Sequence, residues 1–234
     1  MATVAIAARI AYRMASLNAL ITLVFPLIHP TQAMRQSSFA PIKGLIRLMR
    51  PKQWIKNGFV LAPLIFAGKF LDPSAIAQSL TATFLFCLAA SSAYIVNDIR
   101  DRDRDRLHPT KSKTRPIASG AVTIPAAIGL LLSLYGLLIA MGLKMLPVLM
   151  VIVSYLGLNW AYSLWLKHQP VLDIFTVASG FVLRVYAGAL ALAVPLSSWM
   201  FITTFCLALY LAAIKRRQEL GLRGAEGRKV LERY

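Results

Sequence analysis

Carboxylates are concentrated at one place in the chain. Four of the nine acidic residues lie in a nine-residue stretch that begins Asn97-Asp98 and continues to Asp101, Asp103 and Asp105. In an α-helix, Asp98, Asp101 and Asp105 fall within an arc of about 60° on one face, whereas Asp103 points elsewhere. Three carboxylates on one face repel one another, and Mg²⁺, which prefers hard oxygen ligands and commonly bridges carboxylates to a diphosphate, compensates that repulsion. The spacing therefore predicts a magnesium site at these three carboxylates, to which Asn97 adds a neutral oxygen.

The alternating Arg and Asp residues of this stretch have a simpler interpretation. They could form i,i+3 and i,i+4 ion pairs along a solvated helix without binding a metal. The position of the stretch favours the metal site, because Asp98 comes directly after an apolar run and Asn97, so the carboxylates begin where a membrane span would end. We prefer the metal–diphosphate interpretation and keep the solvated helix as its alternative.

Cations that could neutralise phosphate oxygens flank the carboxylates on both sides. They are Lys52 and Lys56 before the stretch and Lys111, Lys113 and Arg115 after it. Basic segments beside a membrane also set topology and attract anionic lipids, so each of these residues has two interpretations.

Arg184 lies inside an apolar run, about a dozen residues from its start. An arginine at that depth costs several kcal/mol unless it is paired or faces a wet cavity. We expect Arg184 to face a central cavity and to contact a phosphate group, with snorkelling to the interface as the alternative.

Composition indicates that most of the chain lies in a membrane. The 234 residues include 26 Lys and Arg against 9 Asp and Glu, a net charge of +17, yet 58% are hydrophobic and the mean hydropathy is +0.63. Soluble domains have about 25% charged residues, whereas this chain has 15%, which excludes soluble folds and a nucleic-acid-binding domain. Six apolar runs predict an all-α polytopic membrane helix bundle. The runs are residues 57–72, 74–96, 121–143, 145–165, 172–194 and 197–214.

Positive charge sets the expected topology, because cytoplasmic loops collect Lys and Arg. With both ends of the bundle on one side, that side has 20 of the 26 cations, and the other side has two, Lys69 and Lys144. We therefore expect an integral protein of the inner cell membrane whose bundle ends and carboxylate site face the cytoplasm.

The expected domain organisation is one membrane domain, residues 38–234, preceded by an extension, residues 1–37. Two arginines followed by an apolar run make the extension similar to a signal peptide. A cleaved signal would place the next basic segment outside the cell, against the charge count. We interpret the extension as an amphipathic surface helix or as an over-extended start with Met34 as the initiator.

Several motifs resemble one known family. Asn97, Asp98, Asp101 and Asp105 form an NDxxDxxxD pattern at the end of a membrane helix, similar to the first aspartate-rich motif of the UbiA superfamily of intramembrane prenyltransferases. The resemblance extends from about Arg47 to Tyr234. Four segments look like the decaprenyl-phosphate phosphoribosyltransferase branch: residues 50–57 (RPKQWIKN), 105–120, 178–184 (ASGFVLR) and 215–220 (KRRQEL).

This resemblance implies an activity and its partners. In the family, the aspartates bind the Mg²⁺ that holds a diphosphate. The branch implies transfer of phosphoribose from phosphoribosyl pyrophosphate to a polyprenyl (decaprenyl) phosphate in the membrane, with Lys215 and Arg216 as donor contacts. Family members have about nine helices and this chain has six apolar runs, so we expect the domain to lack its last helices. The sequence is compatible with a homo-oligomer, and no nucleic-acid partner is expected.

Two other functions stay open. One is a prenyltransferase that uses a prenyl diphosphate donor on an aromatic or lipid acceptor. Members of that type have a second motif, DxxxD, after the sixth helix, where this chain offers only Glu219, Glu226 and Glu232. The other is an inactive, truncated membrane protein. A transporter is disfavoured because the carboxylates lie at one membrane surface and not at its midplane.

Overall fold

The computed structural model describes residues 40–166, 169 and 171–223, and the regular elements in that part of the chain are helices. The chain divides into a unit Met1–Ala40 and a unit Pro41–Tyr234. The predicted extension, residues 1–37, lies outside the described residues. The helices are α1 (Ala40–Met49), a 3₁₀ helix (Pro51–Leu61), α2 (Ala62–Phe66), α3 (Pro73–Arg100), α4 (Arg102–Leu107), α5 (Lys111–Thr114), α6 (Ile124–Gly142), α7 (Leu146–Leu164), α8 (Leu172–Ala191) and α9 (Ser198–Arg223).

Local signals explain where the long helices start. Asp72 accepts a hydrogen bond from the backbone N–H of Ser74 (2.9 Å), and Thr123 accepts one from Ala126 (3.4 Å). These side chains satisfy backbone donors that the first helical turn leaves without partners. A proline stands in the first turn of α3, α6 and α7, where its missing N–H costs nothing.

Long helices correspond to five of the six predicted spans, which confirms the all-α membrane bundle. Within the described residues, four stretches are long and apolar enough to cross a membrane: Pro73–Arg100, Ile124–Leu164, Leu172–Ala191 and Ser198–Gln218. The second stretch contains both α6 and α7, which a short 3₁₀ turn, Leu143–Met145, connects. The chain reverses at this turn, because Tyr135 before it and Val153 after it line the same cavity.

The first predicted span, residues 57–72, is wrong in its bounds. The helical chain begins at Pro51 and ends at Phe66, and the residues that follow connect it to α3. Hydropathy places the start too late because the first turns contain two lysines. It places the end too late because the apolar pattern continues through Phe70 and Leu71, although both side chains are exposed in the connection.

The 3₁₀ geometry lets this short segment extend along most of the bundle. Arg50 pairs with Asp98 near one end of α3, and Leu64 packs with Ala75 near the other end. The 3₁₀ helix has 11 residues and α2 has 5. At about 2.0 Å and 1.5 Å of rise per residue they extend about 30 Å, the thickness of the hydrocarbon core of a bilayer.

The bundle packs around α3, which contacts the 3₁₀ helix, α6, α7 and α8. Small residues on the buried face of α3 let neighbouring helices approach closely. They are Ala75, Ser79, Ala82, Ala89, Ala90, Ser91 and Ser92. Phe86 of α3 packs its ring on Tyr155 of α7, with 5.3 Å between the ring centroids.

The ends of four helices meet on one face of the bundle. Asn97 of α3 accepts a hydrogen bond from Ser163 of α7 (3.4 Å), and Tyr162 of α7 donates to Asp173 of α8 (2.7 Å). Arg216 of α9 pairs with the same Asp173. The C-terminal ends of α3, α7 and α9 therefore lie together with the N-terminal end of α8.

Gly188→Ala should destabilise this bundle. A Cβ at Gly188 would lie 2.0 Å from the backbone oxygen of Val60, and overpacking typically costs about 1–3 kcal/mol. Gly129→Ala in α6 is the matched control, because a Cβ there meets no atom within 4 Å. Thermal unfolding in detergent should show a lower Tm for Gly188→Ala alone. Equal Tm values for the two variants would contradict the packing of α8 on the 3₁₀ helix.

Candidate functional site

Asp98 lies at the centre of the site. Its Oδ1 accepts hydrogen bonds from Arg50 Nη2 (2.6 Å) and Arg115 Nη1 (2.5 Å), and its side chain is 1% exposed. Arg115 Nη1 also lies 2.9 Å from Asp105 Oδ2, and Lys111 Nζ lies 3.5 Å from Asp105 Oδ1. A buried carboxylate is stable only when it is paired. The two arginines therefore hold the charge of Asp98 and attach two loops to the end of α3.

Arg50 reaches Asp98 from an uncommon backbone conformation. Its φ is 55° and its ψ is 58°, the left-handed region, which costs a residue with a Cβ about 1–2 kcal/mol. Strain of this kind persists where surrounding contacts outweigh it. Here the contacts are the ion pair with Asp98 and the ring of Tyr94, whose centroid lies 4.8 Å from the guanidinium.

Two buried oxygens at this site are suited to a cation. Asp98 Oδ2 and Asp105 Oδ2 have no hydrogen-bond partner, and the second lies near Arg115 without the alignment of a hydrogen bond. Mg²⁺ prefers oxygen ligands of this kind. Among the residues that the structure describes, however, no group of three or more His, Cys, Asp or Glu is placed to hold a metal ion.

The predicted gathering of three carboxylates is therefore not seen, and Arg115 bridges Asp98 and Asp105 instead. Asp101 lies between them on a helical path, since Asp101 N–H bonds to Asn97 C=O and Asp105 N–H bonds to Asp101 C=O. Asp98 and Asp105 each keep one buried oxygen without a hydrogen-bond partner, and that of Asp105 lies 2.9 Å from Arg115 Nη1.

A basic cavity, which we call the inner cavity, opens between the 3₁₀ helix, α3, α7, α8 and α9. Its volume is about 390 Å³. Six cations line it, together with aromatic and polar side chains, and no Asp or Glu appears in its described lining. The cations are Arg50, Lys56, Arg115, Arg184, Lys215 and Arg216.

Arg184 lies in the wall of the inner cavity and is 6% exposed. Its Nε donates to Asn57 Oδ1 (2.8 Å), its Nη1 to Gly180 C=O (2.7 Å) and its Nη2 to Tyr155 Oη (3.0 Å). Asn57 in turn donates to Cys87 Sγ (3.2 Å). The partners recorded for the guanidinium are neutral, so they fix its position without cancelling its charge.

The 3₁₀ helix contributes to the cavity through one of its three faces. With three residues per turn, side chains at i and i+3 align in rows. One row packs into the bundle and consists of Trp54, Asn57 and Val60. A second row lies beside the inner cavity and consists of Gln53, Lys56 and Phe59. The third row is exposed and consists of Lys52, Ile55 and Gly58.

A second cavity, which we call the outer cavity, shares a wall with the inner one. Its volume is about 680 Å³. Arg50, Gln53 and Arg115 line both cavities, so the paired arginines of Asp98 separate them. The other residues that line the outer cavity are Arg47, Pro51, Lys52, Asp98, Thr114 and Pro116.

The predicted phosphate-binding cations fall into different places. Lys111 pairs with Asp105, and Lys113 is exposed and lines neither cavity. Lys52 lines the outer cavity. The inner cavity gathers the others, which are Lys56, Arg115, Arg184, Lys215 and Arg216.

Arg216 is held by a buried carboxylate that was not predicted from the sequence. Its Nη2 lies 2.8 Å from Asp173 Oδ1, and its Nε contacts Asp173 Oδ2. Asp173 is 2% exposed and also accepts a hydrogen bond from Tyr162. Arg216 thus attaches α9 to α8, and the neighbouring Lys215 lines the inner cavity. The signal in the sequence that could have identified Asp173 is its place as a lone acidic residue in the first turn of an apolar helix.

Comparisons with known proteins show which family the chain matches. Residues 59–221 match the model of the UbiA prenyltransferase family. The chain is 44% identical over 202 residues to a decaprenyl-phosphate phosphoribosyltransferase of Mycolicibacterium smegmatis, covering 82% of this chain and 63% of that protein. It is 40% identical over 201 residues to the protein of the same name from Corynebacterium glutamicum, covering 82% and 60%.

The fold is similar to that of a solved UbiA homolog from Archaeoglobus fulgidus bound to DMAPP and Mg²⁺. The TM-score is 0.55 at 21% identity, covering 71% of this chain and 60% of that one. This chain spans less than two thirds of the length of the curated relatives named above.

Removing one partner of the Asp173–Arg216 pair should cost more stability than removing both. Asp173→Leu leaves the guanidinium of Arg216 buried without its carboxylate, and such a loss costs about 3–5 kcal/mol. The double variant Asp173→Leu, Arg216→Met places apolar groups at both positions and should recover at least half of the loss. Thermal unfolding of both variants in detergent measures the difference. A double variant less stable than Asp173→Leu would contradict this account.

Proposed function

The chain belongs to the UbiA prenyltransferase family, and from that premise we propose that it is an enzyme that transfers phosphoribose from phosphoribosyl pyrophosphate to a polyprenyl phosphate such as decaprenyl phosphate. The relatives named decaprenyl-phosphate phosphoribosyltransferase support this choice. We place the reaction at the cytoplasmic face of the membrane, and the excess of Lys and Arg at that end of the bundle supports this choice. The observation that carries the proposal is the inner cavity, with its six cations.

The charge of the inner cavity suits a donor with several phosphate groups. Three of its cations pair with carboxylates of the site. The other three, Lys56, Arg184 and Lys215, have no carboxylate partner among the described residues. Phosphoribosyl pyrophosphate carries about five negative charges near neutral pH, so it supplies counter-charges that the cavity lacks. A prenyl diphosphate, with a diphosphate as its only anionic group, would supply fewer counter-charges.

Mg²⁺ would be held by Asp98 and Asp105 through their buried Oδ2 atoms, with Asn97 and Asp101 on the same helical path. When bound, a divalent cation shields the negative charge of a diphosphate leaving group. The solved UbiA homolog is bound to Mg²⁺, which supports this choice of cation.

The side chains of the site would stabilise the charges that move during transfer. A C–O bond forms between the lipid phosphate and the anomeric carbon of the ribose, while the bond from that carbon to the diphosphate breaks and the diphosphate leaves with its electron pair. Lys56, Arg184 and Lys215 stabilise the charge that develops on the leaving group. A phosphate monoester, with a second pKa of about 6, is largely ionised at neutral pH. No general base is needed, and we assign none.

Membranes containing the protein should transfer label from phosphoribosyl pyrophosphate into an organic-soluble product when Mg²⁺ and decaprenyl phosphate are supplied. Asp105→Asn should lower this transfer about 100-fold or more, because Asp105 would hold the catalytic metal, such a metal contributes several kcal/mol, and about 1.4 kcal/mol is tenfold in rate. EDTA should abolish the transfer, and added Mg²⁺ should restore it.

Asp103→Ala is the matched control for this assay. Its side chain is 80% exposed and pairs with the neighbouring Arg102, so transfer should stay within about twofold of the unmodified protein. Equal loss in both variants would contradict the assignment of Asp105. Transfer of a prenyl group to an aromatic acid would support the prenyl diphosphate alternative. No transfer to either acceptor would support an inactive protein.

Arg184→Leu should lower turnover about 100-fold or more, because it removes a permanently charged guanidinium. That charge lies on the leaving-group side of the inner cavity. Tyr155→Phe removes one neutral hydrogen bond to the same guanidinium (3.0 Å) and keeps the charge, so it should cost about tenfold or less. Initial rates in detergent, at equal amounts of folded protein by size-exclusion chromatography, measure both. Equal losses would show that Arg184 acts through packing and not through its charge.

A further inference from the structure

Ser91 joins the two segments on either side of Arg50. It lies on α3, is fully buried, and its Oγ donates a hydrogen bond to the backbone C=O of Met49 (3.0 Å). The same oxygen accepts a hydrogen bond from Trp54 Nε1 (3.1 Å). Met49 ends α1 and Trp54 lies near the start of the 3₁₀ helix. One hydroxyl group therefore holds the chain both before and after Arg50.

Arg50 is the residue at which α1 gives way to the 3₁₀ helix, and its backbone has the left-handed conformation. Its N–H donates to the C=O of Arg47 (3.2 Å), and its C=O accepts a hydrogen bond from the N–H of Gln53 (2.8 Å). Both of these bonds stay within the segment. The bond from Ser91 to Met49, in contrast, ties the backbone beside Arg50 to α3 without involving the guanidinium.

One face of α3 makes all of these contacts with the Arg50 junction. Ser91, Tyr94 and Asp98 are spaced i, i+3 and i+7, which places them on the same side of an α-helix. The ring centroid of Tyr94 lies 4.8 Å from the guanidinium of Arg50, and Asp98 accepts a hydrogen bond from it (2.6 Å). Ser91 thus holds the backbone next to Arg50, while Tyr94 and Asp98 hold its side chain.

We propose that Ser91 is a positioning residue for the transfer reaction and acts through Arg50. This inference rests on the proposed function, which places an anionic donor in the inner cavity that Arg50 lines. A left-handed backbone persists only where surrounding contacts outweigh its strain. Loss of the Ser91 hydroxyl removes the bonds to Met49 and Trp54, so the backbone of Arg50 relaxes and its guanidinium leaves the cavity wall.

Ser91→Ala should speed hydrogen exchange at the amides of Arg50 and Gln53 about fivefold or more, because the bonds that protect them depend on the fixed turn. It should also lower kcat for transfer about fivefold or more. Ser92→Ala is the matched control, since Ser92 is equally buried on α3 but donates to the C=O of Leu88 in its own helix (2.9 Å). The control should change neither quantity by more than about twofold. Both are measured with the full chain in detergent.

A comparison with Arg50→Gln separates positioning from a general loss of packing. Inorganic pyrophosphate with Mg²⁺ is the probe, because it has the diphosphate of either candidate donor. Ser91→Ala should weaken its binding about threefold or more in the otherwise unmodified protein, but hardly at all when Arg50→Gln is already present. General damage to packing would weaken binding equally in both backgrounds. If Ser91→Ala does not fold, Trp54→Phe removes one of the two bonds of Ser91, keeps an aromatic ring and takes its place in both measurements.

Each of the other outcomes is decisive. Unchanged exchange at Arg50 and Gln53, equal effects of Ser91→Ala and Ser92→Ala, or equal losses of pyrophosphate affinity in the two backgrounds would overturn the proposal. Transfer at the full rate by Ser91→Ala would overturn it as well. If exchange and pyrophosphate binding change as expected but the unmodified protein transfers no phosphoribose, the proposed function fails while the positioning of Arg50 by Ser91 stands.

Discussion

The pairing of Asp98 with two arginines is the constraint on which the rest of the site depends. A carboxylate at 1% exposure has to be paired, and its partners come from opposite directions along the chain, Arg50 before α3 and Arg115 after it. Each arginine therefore fixes its own segment of the chain against the end of α3. The same two side chains form the wall between the inner and outer cavities. A single buried charge thus sets the positions of the 3₁₀ helix, the basic loop and both cavities.

The 3₁₀ helix follows from this anchor. With Arg50 held at Asp98, the residues that follow it must extend far enough for Leu64 to reach Ala75. The larger rise of a 3₁₀ helix provides that distance, and its threefold repeat separates the side chains into a core row, a cavity row and an exposed row. An α-helix, with 3.6 residues per turn, would rotate Lys56 away from the line of Gln53 and would mix these rows. The 3₁₀ geometry, which is usually limited to short segments, here places one row in the core, one beside the inner cavity and one on the exposed side.

Much of the fold could be predicted from the sequence, because spans of about 20 apolar residues are a strong signal and five of them became helices at the predicted places. The start and end of the first span could not be predicted from hydropathy, since hydropathy assumes α-helical rise and periodicity. At the site, the aspartate spacing indicated the right end of α3, but it gave no means of knowing that Arg115 would lie between Asp98 and Asp105. Asp173 could not be paired with Arg216 in advance, because a contact between residues 43 positions apart depends on how α8 and α9 pack.

The way Arg184 is held explains how the inner cavity can be both rigid and attractive to anions. A carboxylate partner would fix the guanidinium equally well, but it would neutralise the charge that we propose for contact with a phosphate group. An amide, a carbonyl and a hydroxyl instead fix its orientation with three hydrogen bonds of 2.7–3.0 Å and leave its charge uncompensated. Arginine is suited to this role because it stays protonated when buried. In the proposed function, the entry of the anionic donor would offset the energetic cost of burying that charge.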